Sequence, residues 1–122
     1  MKLKNSWLLT FAMIVTVAFV GSVSSYAADL TAARTNYQSF CAACHGKTGE
    51  GNGLSGVSLE VKPMDFDDCA AMAKLSDDTL FKAIKSGGRA VGKSPQMPAA
   101  GAAFNDSQIH DLVAYVRSFC KK

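Results

Sequence analysis

Residues 41–45 read Cys41-Ala42-Ala43-Cys44-His45, a Cys-x-x-Cys-His spacing that matches covalent haem attachment. Two thiols three positions apart on one helical turn can each add to a vinyl group along one edge of a porphyrin. His45 follows Cys44 directly, so its imidazole is carried to the centre of the same ring face, where it can serve as the proximal iron ligand. Competing chemistries fit poorly. A structural zinc site needs four protein ligands, and Cys69, Cys120 and His110 supply no second pair at metal-site spacing. A thioredoxin-like dithiol would need a strand before the motif and a parallel sheet around it. No strand-like alternation of useful length follows residue 27.

Upstream of the motif, residues 1–27 read as a cleavable secretory signal peptide. Lys2 and Lys4 are its basic start, Trp7 to Val20 its apolar run, and Ser25-Tyr26-Ala27 its cleavage site. The apolar run holds 14 residues, against the about 20 that span a bilayer. No stable membrane insertion is therefore expected after cleavage, with a retained anchor as the alternative. The expected mature domain, residues 28–122, is small enough that a large apolar prosthetic group would materially enlarge its core. Without Lys2 and Lys4, the 13 basic residues fall to 11 against 10 acidic ones, a near-neutral balance that gives no support to nucleic-acid binding. The signal predicts an exported, periplasmic protein. In that oxidising setting the two cysteines outside the motif, Cys69 and Cys120, favour a disulfide, with free thiols as the alternative.

The mature region reads as helices and loops. Asp29 is placed to cap a helix in which Leu30, Ala33, Tyr37, Phe40 and Cys44 recur at spacings of three and four, with Gly46 closing it. The motif cysteines thus fall on its last turn. Residues 46–63 carry five glycines and no period, which reads as a loop packing closely along a haem edge or as a flexible linker. One short helical turn is expected around Cys69 to Met72. Ser76 is placed to cap a second main helix, with Asp77 and Asp78 in its first turn, Leu80, Phe81 and Ile84 turned inward, and Gly87-Gly88 ending it. An irregular stretch from Gly87 to Ala103 contains Pro95-Gln96-Met97-Pro98. Asn105 then caps a last helix with Ile109, Leu112, Val113, Val116 and Phe119 on one face and Cys120 on its final turn.

In this order of parts the chain resembles the class I c-type cytochromes over essentially the whole region 28–122. The resemblance implies an all-α, cytochrome c-like fold of about three main helices, with long loops wrapped around one covalently bound haem c. It also implies that Met97, of the Met97-Pro98 pair, is the distal iron ligand. Met64 and Met72 are rivals, Met64 the stronger because it lies in a loop beside Pro63. The family crosses its first and last helices through a small residue and two aromatics, positions that Ala33, Tyr37 and Tyr115 match. Cys69 and Cys120 are not required by the family pattern.

With nitrogen on one side and thioether sulfur on the other, the iron has no free position, and an electron is what it exchanges easily. The expected function is a periplasmic, monomeric carrier of single electrons between redox protein partners, with no substrate turnover of its own. Alternatives are a haem enzyme or ligand-binding protein with a displaceable Met97, and a permanent cytochrome subunit of a dehydrogenase or oxidase complex. His110 reads as a solvated surface residue. Lys47, Lys82, Lys85, Arg89 and Lys93 are candidates for a basic docking ring around the haem edge, set against the ordinary surface role of lysine.

Overall fold

The computed structural model describes residues 26–120. The expected signal peptide lies outside the described residues up to position 25. The described residues form helices α1 (Leu30–Phe40), α2 (Ala42–His45), α3 (Cys69–Met72), α4 (Asp77–Ser86) and α5 (Asp106–Ser118), with a 3₁₀ turn at Gly88–Val91 and no strand.

Each main helix starts where a short polar side chain can satisfy the first free amides. Asp29 accepts from the N–H groups of Thr31 and Ala32 at 3.1 and 2.9 Å, and Ser76 Oγ accepts from Thr79 at 3.1 Å. Asn105 and Gln108 form a reciprocal capping box, with both bonds at 3.0 Å. Gly87, at φ 84°, ends α4.

The core forms where α1 packs on α5. Ala33 and Tyr37 on α1 and Ile109 on α5 have no exposed surface, and Leu112, Val113 and Val116 are buried beside them. The Tyr37 ring lies 5.3 Å from that of Tyr115 and 5.4 Å from that of Phe119. Of the three residues that match the family crossing, Tyr37 and Tyr115 are therefore in contact, and Ala33 is buried on the same helix as Tyr37.

Two further ties close the molecule. Cys69 and Cys120 are joined in a disulfide with Cα atoms 5.3 Å apart, which decides between the pair and free thiols. Arg117 on α5 donates to the Met72 carbonyl at 2.6 Å, to the Leu75 carbonyl, and to Asp77 Oδ1 at 2.9 Å, so one planar fork clamps the segment between α3 and α4. At the other end, the buried carboxylate of Asp111 accepts from the Tyr26 hydroxyl at 2.6 Å and the Asp29 N–H at 3.0 Å.

Three expectations are corrected. The helix expected to run unbroken to Gly46 is interrupted at Cys41, whose φ of −101° opens the coil between α1 and α2. Its carbonyl accepts both the Cys44 and the His45 amides, at 3.2 and 2.9 Å. Cys120 lies beyond the last turn of α5, which ends at Ser118. The stretch from Gly87 is not wholly irregular, since Gly88–Val91 forms a 3₁₀ turn that Gly92 ends at φ 70°.

Candidate cofactor site

The site is built at the C-terminal end of α2. A helix end leaves carbonyls without partners, and here the glycine-rich loop supplies the missing donors. Ala42 O accepts from Gly46 N–H at 2.9 Å, Ala43 O from Ser55 at 2.9 Å, Cys44 O from Gly53 at 3.1 Å, and His45 O from Gly51 at 2.8 Å. The Tyr37 hydroxyl donates to Gly46 O at 2.8 Å. Such close backbone approach explains the glycines: a Cβ on Gly53 would run into the Ala42 and Ala43 carbonyls, and one on Gly56 into that of Cys44. The loop is thus no linker, and these two glycines lie against the backbone of the motif.

Cys41 and Cys44, one helical turn apart and each half-buried, are the free cysteines among the described residues. Burial, with the neighbouring Cys44 charge adding, pushes the Cys41 thiol up to about 11, so it stays protonated at neutral pH. His45 is half-buried, and burial lowers its pKa, opposed by a bond to the Met64 carbonyl. A neutral imidazole has one N–H and one lone pair. His45 Nδ1 lies 3.3 Å from Met64 O, and because a carbonyl only accepts, this contact places the proton on Nδ1 and leaves Nε2 as the donor to a metal. The other face of the problem is steric. The His45 ring stacks on Phe66 at 4.6 Å with 12° between planes.

Among the rival methionines, Met72 is 1% exposed and fills the core, while Met64 contributes its carbonyl to His45. Met97 is half-buried in a loop fastened to the end of α4: Gly88 N–H donates to Met97 O at 3.1 Å, Ala100 to Ile84 O at 2.8 Å, and Gly101 to Lys85 O at 3.0 Å. The carbonyls that α4 leaves free thereby fix the backbone that carries Met97.

His110 is exposed, as expected, with its ring stacked on Phe81 at 4.5 Å. Of the candidate basic ring, Lys47, Lys82, Arg89 and Lys93 are exposed. Lys85 is paired with Asp106 at 2.7 Å, so its charge is not free for docking. Sequence reasoning missed the Met64 carbonyl, Phe66 and the amides of Gly51, Gly53 and Ser55. Pro63 and the spacing of the glycines were the available signals.

The donor set fits a covalently held haem: two unpaired thiols and an imidazole with a free Nε2 arise from one short segment. Among the described residues no group of three or more His, Cys, Asp or Glu side chains is placed to hold a bare metal ion. No helix of the described residues is long and apolar enough to cross a membrane. Comparison with known families matches residues 28–116 to the model described as cytochrome C oxidase, cbb3-type, subunit III.

Proposed function

From the chain's membership of the family of cbb3-type cytochrome c oxidase subunit III, which makes it a monohaem c-type cytochrome with one covalent haem c and a role in electron transfer, we propose that it relays single electrons between redox protein partners through a His45/Met97-ligated site. In this reading Cys41 and Cys44 form the two thioethers, His45 Nε2 is the proximal ligand and Met97 Sδ the distal one. The haem supplies a one-electron iron couple. The chain's own residues set its conditions. The Met64 carbonyl fixes the His45 tautomer. The soft Met97 sulfur favours the reduced state relative to a second imidazole. Tyr37, Phe66 and Phe119 form an apolar wall beside the motif that excludes water.

The observation that carries the closed, carrier-type site is the three-bond attachment of the Met97 loop to α4 and the turn that follows it. A methionine on a fixed backbone favours permanent ligation over a displaceable lid. The export signal read over residues 1–27 supports a periplasmic location after cleavage, with residues 28–122 as the mature domain. The test is carbon monoxide binding to the reduced holoprotein at neutral pH. Slow or negligible binding is expected, and rapid binding sinks the closed-site reading in favour of a ligand-binding haem protein or enzyme.

The family match favours a second reading, in which the cytochrome is a lasting subunit of an oxidase complex and not a free shuttle. Gel filtration of extracts from the native cells separates the two: a shuttle elutes as a monomer, a subunit with its complex.

A further inference from the structure

Phe66 lies between His45 and the chain end that the disulfide holds. Its ring lies 4.6 Å from that of His45 with 12° between planes, and 6.3 Å from that of Phe119 with 10° between planes. Three rings are therefore nearly parallel, and Tyr37 meets Phe66 edge-on at 6.5 Å. The Phe66 backbone is held by a hydrogen bond at its N–H, and its carbonyl lies against the disulfide, whose sulfur has no proton to donate. Its N–H donates to Gly49 O at 2.7 Å, and its carbonyl oxygen lies 3.1 Å from Cys120 Sγ, the sulfur bonded to Cys69. Phe66 is 8% exposed.

We infer that Phe66 is a positioning residue for electron transfer: its ring, backed by Phe119 next to the Cys69–Cys120 bridge, sets the rotation of the His45 imidazole plane about the bond to its Cβ. The physical need is local. Among the described residues, the polar restraint on that imidazole is the 3.3 Å contact to Met64 O, which is long for a hydrogen bond and restrains rotation weakly. A parallel aromatic face at stacking distance restrains it sterically, because turning the imidazole would drive its edge into the Phe66 ring. The bridge matters because Phe119 and Cys120 follow the last turn of α5, where helix ends fray unless tied down. Orientation of the imidazole plane in turn governs overlap with the metal orbitals and so the magnetic anisotropy of the oxidised iron.

This inference rests on His45 as iron ligand, and the experiment separates the two. Ferric holoprotein is examined by low-temperature electron paramagnetic resonance, with haem content measured on the same samples. A wild-type spectrum without a low-spin, imidazole-ligated signal removes the ligand assignment itself. Given that signal, Phe66→Leu is expected to broaden its low-field feature about twofold, as the imidazole samples several orientations without its stacking partner. Phe66→Tyr, which keeps the ring, is expected to restore the wild-type line. An unchanged line in Phe66→Leu at equal haem content overturns the inference, because a merely structural side chain would alter melting and not the ligand's orientation. If Phe66→Leu does not mature, the Cys69→Ser/Cys120→Ser protein decides: it leaves the ring in place and frees its anchor, so a broadened line supports the inference and a wild-type line overturns it.

Discussion

Gly53 donates its backbone N–H to the Cys44 carbonyl at 3.1 Å, and a Cβ on Gly53 would collide with the carbonyls of Ala42 and Ala43. The glycine is required by space, since its φ is not positive. Gly92 is the reverse case, with φ 70° and nothing near a prospective Cβ. Gly53→Ala is therefore expected to cost about 1–3 kcal/mol, as overpacking does, and to lower haem incorporation by displacing the motif. Gly92→Ala should cost about 1 kcal/mol of left-handed strain and leave incorporation intact. Denaturant melts and haem quantitation on both variants test the contrast.

The two loop methionines should behave differently. Met97→Ala is expected to abolish the sulfur-to-iron absorption band of the oxidised protein, lower the reduction potential and admit carbon monoxide to the reduced form. Met64→Ala should keep the band, because Met64 meets His45 through its backbone carbonyl; its packing loss should stay below about 2 kcal/mol, as Met64 is only half-buried. Loss of the band in Met64→Ala and its survival in Met97→Ala would reverse the ligand assignment.

The disulfide closes a stretch with a sequence separation of 51. Replacing both cysteines, Cys69→Ser with Cys120→Ser, is expected to destabilise the holoprotein by about 2–4 kcal/mol through the greater freedom of the unfolded chain. Equilibrium urea unfolding measures this, and a midpoint equal to wild type would show that the bridge adds nothing to stability.

Tyr37 has no exposed surface, and its hydroxyl donates to Gly46 O at 2.8 Å. Burial raises its pKa far above the ordinary phenol value, so the hydroxyl is a donor at every pH at which the protein would be handled. Tyr37→Phe keeps the ring packing and removes one bond. About 1 kcal/mol of stability should be lost, read as a shift in the unfolding midpoint with haem content unchanged.

Much of this molecule is local and therefore legible in its sequence. Asp29, Ser76 and Asn105 cap the main helices because an N-cap bond spans only two or three residues, and Gly46 and Gly87 end α2 and α4 because a positive φ excludes most other side chains. The thiol pair and His45 needed no tertiary information either, as their spacing is one helical turn. The break at Cys41 was not legible, because a distortion of one residue's backbone leaves no mark on a pattern of apolar spacings.

By itself the sequence determined the covalent haem chemistry, the helical class and the helix starts, all of which depend on neighbours within about one turn. Tertiary structure decided what joins residues far apart in the chain. It brought the Met64 carbonyl to His45, chose the pairing of Cys69 with Cys120, made the glycine-rich run a source of donors for the last carbonyls of α2, and set Phe66 against the imidazole. Those relationships depend on the approach of separate backbone segments, which composition and periodicity do not encode.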